Sequence, residues 1–356
     1  MVSKRPGRSA GHPRRARPRR VRLLAGAGGV LLAAGGAAYA WGLPGILAHS
    51  AAGDRARGSY AADAADGDRA AAALLAGAVR EVPAAGPSGQ GEASGPAASG
   101  PTGAAGPTEP PGPAEPPGPA EAPGAAAGGG QSPGPASSGP LAARPAVAEP
   151  AVGALFSPGE DGDGAHHCSG VVVHAPGGDL VATAAHCVHR PVLGFRTNLV
   201  FVPGYRDGQA PHGVWVPTRI DVDPRWAASQ DPDHDIAFLR VRRPGRPGER
   251  LEDTAGAYPV RFGAGLPLPA RLAGYPGGAE RPLDCSTTAV AESATQLRLD
   301  CADVPNGTSG GPVLAGGRTL IGVIGGRDGG GDEWTSYSIR FGDAARELYE
   351  RATRSG

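Results

Sequence analysis

Apolar and polar positions divide the chain into distinct regimes. From about Ala151 onward, short β-branched runs alternate with Gly/Pro/Asp turns, the pattern of strands joined by tight connections. Val171-Val172-Val173 leads through Pro176-Gly177-Gly178 into Leu180–Thr183. Further strands are predicted at 199–202, 214–222, 236–241, 270–275, 287–291 and 296–299. Val313-Leu314 and Leu320–Ile324 flank Gly316-Gly317, a hairpin signal. Helical spacing enters only after Asp343, where Ala345, Leu348, Tyr349 and Ala352 recur on one face and predict a C-terminal helix. The pattern predicts an all-β domain, barrel or sandwich, over residues 151–356. About 200 residues suffice for one sizeable core.

The N-terminal part reads differently. An uncharged run from Leu23 to Ala48 follows nine basic residues between Lys4 and Arg22, with no acid among them. Basic residues followed by an apolar run read as an export signal or membrane anchor over 1–48. Ala38-Tyr39-Ala40 offers a small-x-small cleavage site, while Leu23–Trp41 is long enough to span a bilayer. Both outcomes, secretion and anchoring at the outer face of the membrane, are expected readings. Residues 49–150 read as a low-complexity Pro/Ala/Gly linker or propeptide. Within them Asp68–Val82 reads as a short Ala-rich helix, with Leu74, Leu75 and Val79 on one side. Glu109-Pro-Pro-Gly-Pro-Ala114 recurs as Glu115-Pro-Pro-Gly-Pro-Ala120. Such composition cannot bury enough apolar surface to offset ordering entropy. It is expected to stay extended and hold the following domain away from a membrane or wall.

Composition sharpens this picture. The chain has 356 residues, 60 of them glycine and 38 proline, far above ordinary usage. The formal net charge is zero, which gives no reason to expect a nucleic-acid partner. The four cysteines, Cys168, Cys187, Cys285 and Cys301, all lie in the C-terminal part. An even count in an exported chain favours two disulfides, with three connectivities open.

Three short motifs carry the candidate chemistry. In Gly307-Thr308-Ser309-Gly310-Gly311-Pro312, Ser309 is the candidate nucleophile, and the Gly307 and Ser309 amides are candidate oxyanion donors. Thr183-Ala184-Ala185-His186-Cys187 leaves a predicted strand and presents an imidazole beside a cysteine. Asp233-His234-Asp235-Ile236-Ala237-Phe238-Leu239 places a carboxylate just before an apolar strand. Such a carboxylate fixes the tautomer of an imidazole and stabilises its charged form. Asp231 and Asp233 are rivals, and Asp235 is favoured because it abuts the strand. His166, His167, His174, His186 and His189 cluster in sequence, but no H-E-x-x-H occurs, so no metal or other cofactor is expected.

Together these motifs resemble the trypsin/chymotrypsin-like serine peptidases. The order His, Asp, Ser is that family's order. The 201–208 stretch and Val152–Phe156 look like a bacterial secreted branch related to glutamyl endopeptidases. The resemblance covers about 151–356. It implies two packed six-stranded barrels, with His186 and Asp235 from the first and Ser309 from the second. It also implies the pairings Cys168–Cys187 and Cys285–Cys301, and an endopeptidase acting on a polypeptide substrate; export is expected from the N-terminal pattern, and a monomer is expected. There are departures. Thr308 stands where pancreatic-type members carry an aspartate that pairs with a freed N-terminus. Cleavage before Val152 would therefore need another contact. Asp303 falls in the register of trypsin's specificity aspartate and is a candidate pocket residue, although Pro305 replaces a cysteine beside it. No histidine occurs in Gly322-Val323-Ile324-Gly325-Gly326, where glutamyl endopeptidases carry one. The rival readings are a peptidase-fold esterase and a catalytically silent binding module on a stalk.

Overall fold

A computed structural model describes residues 47–82, 141–160 and 165–354. The elements that position the site, in chain order, are β1 (Ser59–Ala61), α1 (Ala64–Gly77), β2 (Val152–Phe156), β3 (His166–Val173), β4 (Leu180–Thr183), β5 (Val200–Pro203), β6 (Val216–Val222), α2 (Pro224–Ser229) and β7 (Ala237–Arg242). They continue with β8 (Leu268–Gly274), β9 (Leu283–Ala291), β10 (Gln296–Leu299), β11 (Pro312–Ala315), β12 (Thr319–Ile324), β13 (Ser336–Arg340) and α3 (Asp343–Arg354).

The strands form two antiparallel barrels. In the first, the order is β5-β2-β3-β4-β7-β6. Reciprocal backbone bonds of 2.8 and 2.9 Å between Phe201 and Trp215 bring the ends of this sheet together. In the second, β8-β11-β12-β13-β10-β9 closes on itself through β9 and β8. Alternation along the strands explains why the two barrels share a seam. In β7, Ala237, Leu239 and Val241 point into the first barrel's core. Phe238 points the other way, into a cluster with Val171, Val173, Leu314, Val323 and Ile339. Because β3, β4 and β7 are apolar on both faces, they read in the sequence as runs rather than as alternation. The predicted C-terminal helix begins at Asp343 and lays Ala345, Leu348 and Ala352 on this same shared cluster. The fold is that of the chymotrypsin-like peptidases.

The described part of residues 49–150 departs from the expected linker. Asp63 caps α1 through its carboxylate, and the helix buries Ala70, Ala71 and Leu74 with Val79 against Val152, Val200, Val202 and Val216. β1 pairs with β6 as a seventh strand. Ser50–Ala51 pairs with Phe195–Arg196, and Arg80–Glu81 runs parallel to Gln209–Ala210. Leu141–Ala142 pairs with Cys301–Ala302 and Arg144–Pro145 with Leu283–Asp284. Residues 50–82 and 141–150 are thus built into the folded body, because tertiary apolar contact overrides the weak local pattern.

Disulfides join Cys168 to Cys187 and Cys285 to Cys301. Each contributes about 3 kcal/mol in the loop-entropy account. No helix among the described residues is long and apolar enough to cross a membrane. The expected signal or anchor lies outside the described residues except for its last positions, Leu47 and Ala48.

Candidate active site

The shared seam ends in a polar cluster assembled from both barrels. β4 ends at Thr183, and Ala184 leads into a single 3-10 turn, Ala185–Cys187, that presents His186. The Cys168–Cys187 disulfide ties this turn to β3. Ahead of β7, Asp231 caps a second 3-10 turn, Pro232–His234, by accepting from the Asp233 N–H. That turn delivers Asp235 into the interior, where it is 1% exposed.

His186 and Asp235 meet directly. The Asp235 Oδ2 lies 2.6 Å from His186 Nδ1, and its Oδ1 accepts the His186 backbone N–H at 2.8 Å. The Gly326 N–H donates to the same Oδ2 at 2.9 Å. Burial alone would raise the carboxyl's pKa, but the imidazole charge and these donors outweigh it and hold it below the usual range. Burial likewise acts to lower the His186 pKa, yet the Asp235 charge and hydrogen bond prevail and the net direction is up. Of the three acids near β7, only Asp235 is placed this way. Asp231 is occupied as a cap and Asp233 lies at the surface.

The serine loop belongs to the second barrel. Ser309 is 8% exposed, and its carbonyl accepts from the Ser169 N–H at 2.7 Å. That carbonyl is 3.7 Å from Cys187 Sγ, so the loop abuts the turn that carries His186. Two glycines are needed here for steric reasons. Gly307 has φ 98°, and a Cβ on it would sit 2.2 Å from the Gly277 nitrogen. Gly310 has φ 82°, and a Cβ there would meet Thr183 Oγ1 at 2.1 Å. Among the described residues, neither the Gly307 nor the Ser309 N–H donates to a protein acceptor.

Other candidates are distributed as follows. Asp303 is exposed, with a left-handed φ of 58° and its N–H on the Glu333 carbonyl. A pocket-floor carboxylate would be enclosed, and this one is not. Cys168, His186 and Cys187 bring potential ligand atoms within 4.8 Å, but both sulfurs are committed to a disulfide, which leaves no thiolate for a metal.

Three contributing residues had no signal in the sequence. Trp226 on α2 sits 6.5 Å, ring to ring, from His186. Gln296, 3% exposed at the start of β10, donates through Nε2 to the Pro232 carbonyl at 2.8 Å and accepts from the Arg327 N–H at 3.4 Å. It thereby joins the loop that delivers Asp235 to the segment that hydrogen-bonds it. Ser169 is the third. Each lies far along the chain from its partners, so no local spacing announces it.

Two barrels with a buried aspartate paired to a partly exposed histidine, beside a glycine-bounded serine, define a serine endopeptidase. Residues 168–323 match the family model of the trypsin-like peptidase domain. This stretch, from the cysteine of β3 to β12, is a trypsin-like peptidase domain. No curated protein matches it. Among solved structures it is similar to the protease Anisep from Arthrobacter nicotinovorans, at 27% identity and TM-score 0.53 over 60% of this chain and 100% of that one. It is similar to the thermostable serine protease AL20 from an extremophilic microorganism, at 26% identity and TM-score 0.51 over 58% and 99%. A Glu endopeptidase in complex with MPD aligns at 18% identity and TM-score 0.50 over 60% and 98%, a likeness of fold.

The pair predicts the pH dependence. An imidazole acts as base only when neutral, and Asp235 favours its charged form. The rise of kcat/KM with pH is therefore expected to have its midpoint above the ordinary histidine value of about 6.5. Asp235→Asn removes the charge and should move the midpoint down. An unchanged midpoint in that variant would show that another group titrates. The same shifts bear on stability with opposite signs. The depressed Asp235 pKa stabilises the fold above its unfolded value, and this is lost as pH falls through the folded value. The raised His186 pKa contributes below its unfolded value, and this is lost as pH rises through the folded one.

Proposed function

We propose that this protein is an exported serine endopeptidase that hydrolyses peptide bonds through an acyl-enzyme. Ser309 Oγ attacks the scissile carbonyl while His186 takes its proton and returns it to the leaving amine. Asp235 holds the tautomer and stabilises the imidazolium. The Gly307 and Ser309 amides receive the oxyanion. Water then deacylates the enzyme through the same base. The observation that carries this reading is the 2.6 Å contact between His186 and the fully enclosed Asp235. A buried carboxylate with two amide donors and an imidazole is costly to keep unless it orients that imidazole.

No group outside the chain is needed for these steps. The substrate is a polypeptide, and a monomer suffices because every proposed group comes from one chain. Export is supported by the two disulfides, which persist in oxidising compartments, and by the basic-then-apolar N-terminus. The exposed Asp303 gives no reason to assign a preferred side chain before the cleaved bond.

A tagged fluorophosphonate tests the reading directly. The full chain is expected to be labelled at Ser309, and Ser309→Ala and His186→Ala are expected to remain unlabelled. A folded, oxidised chain that takes no label would instead be a binding module.

A further inference from the structure

Ser169 is completely buried, yet every polar group it carries is engaged. Its N–H donates to the Ser309 carbonyl at 2.7 Å. Its own carbonyl accepts from Thr183 Oγ1 at 2.7 Å. Its hydroxyl donates to the Gly307 carbonyl at 2.9 Å and accepts from the Tyr275 N–H at 2.8 Å. Ser169 belongs to β3 of the first barrel, whereas Tyr275, Gly307 and Ser309 belong to the second. One side chain thus spans the seam and grips the serine loop on the residue that supplies an oxyanion donor.

The consequence follows from peptide geometry. A trans peptide holds its C=O and N–H pointing in opposite directions. The direction of the Gly307 N–H is therefore set by the Asn306 carbonyl, which accepts from the Gly277 N–H at 2.8 Å. The next peptide is set by Ser169 Oγ on the Gly307 carbonyl. With both peptides around Gly307 held, its N–H cannot turn away. In the pancreatic-type pattern this loop is held by an aspartate and a freed N-terminus. Here Thr308 occupies that place and donates through Oγ1 to the Pro305 carbonyl at 2.8 Å, within its own loop. Val152, where a new N-terminus would arise, is 2% exposed inside β2, with its N–H on the Glu149 carbonyl at 3.0 Å. The uncut chain already fills the places that cleavage would rearrange.

We propose that Ser169 is the positioning residue of the oxyanion site, holding Gly307 from the neighbouring barrel so that the uncut chain is assembled for catalysis without a freed N-terminus. This rests on the reading of Ser309 and Gly307 above.

The test uses the full chain with Ser169→Ala and Ser169→Thr. Wild type is treated with a tagged fluorophosphonate and its intact mass recorded. The adduct is expected on chains uncut between Leu141 and Val152. An adduct confined to chains cut there would overturn the proposal, whereas no adduct on any form would overturn the Ser309 reading and the proposal with it. Ser169→Ala leaves the backbone bond to Ser309 in place but frees the Gly307 carbonyl. Its kcat is expected to fall about 10- to 100-fold, less than for losing an oxyanion donor outright. KM and the pH midpoint should hold, because the pocket and the Asp235–His186 pair are untouched. Affinity for a peptide aldehyde, which forms an oxyanion, should fall by a similar factor, while affinity for a peptide product stays. Ser169→Thr keeps the hydroxyl and should recover most of the rate. A Ser169→Ala enzyme within about two-fold of wild type would overturn the proposal, as would a kcat loss accompanied by a shifted pH midpoint. If Ser169→Ala shows no cooperative melt, the adduct on cut or uncut chains decides alone.

Discussion

Replacing Ser309 with alanine is expected to lower kcat on a peptide substrate by about five to six orders of magnitude, and His186→Ala by a similar factor. The two losses should not add. Without the hydroxyl there is no nucleophile for the imidazole to activate, and without the imidazole the hydroxyl stays protonated. The double variant should therefore resemble either single one. Neither should drop to the uncatalysed rate, because substrate binding and the Gly307 and Ser309 amides remain in place. The fold should be little disturbed. Ser309 is held through its backbone carbonyl, which accepts from the Ser169 N–H. Initial rates beside thermal melts check this. A Ser309→Ala enzyme with more than a hundredth of wild-type kcat and an unchanged melting temperature would remove Ser309 from the mechanism.

The second large effect concerns stability. A fragment beginning at Ala151 corresponds to the domain boundary expected from the sequence, but it is expected not to fold cooperatively. It lacks α1, β1 and the strands at 80–81 and 141–145. Removing them uncovers Val152, Val200, Val202 and Val216 and discards the burial of Leu74 and Val79. Large-to-small losses at core positions cost about 2–5 kcal/mol each, and a domain of this kind has only about 5–15 kcal/mol in all. Ion pairs to the segment are lost as well, Arg242 with Asp68 at 2.7 Å and Arg243 with Glu81 at 3.2 Å, although such partly exposed pairs matter little beside the apolar loss. Differential scanning calorimetry of the fragment against the full chain is the measurement. A fragment with a sharp transition at the full chain's temperature would show that 50–82 is an ornament on a self-sufficient body.

How far the sequence was legible follows from range. Strands such as Leu180–Thr183 and Gln296–Leu299 were readable because local alternation or an apolar run marks them, and the start of α3 at Asp343 was readable from helical spacing. The loops that bring His186 to Asp235 were readable as motifs, because small residues and glycines must recur wherever a backbone approaches closely. In residues 50–82 the helix was readable, though its start lies earlier, at Ala64, but its packing and its flanking strands were not. An Ala-rich helix with two leucines carries a weak pattern, and its burial is decided by Val152, Val200, Val202 and Val216, far along the chain. Its flanking strands are two or three residues long, below the length at which alternation can register. Ser169 and Gln296 were silent for a related reason. A lone polar residue in an apolar strand reads as an interruption, and only the fold reveals that its partners wait on the opposite barrel.

The stretch 83–140 leaves the body at Arg80–Glu81, on the first barrel, and returns at Leu141–Ala142, beside the second. The residues on either side of it are therefore fastened to one folded body. A nick inside the stretch would not release the protease. It would yield a two-chain enzyme whose light chain, holding residues 50–82, stays woven into the first barrel, with Ser59–Ala61 as its seventh strand. Such a product would show two bands after denaturation and reduction but one particle before.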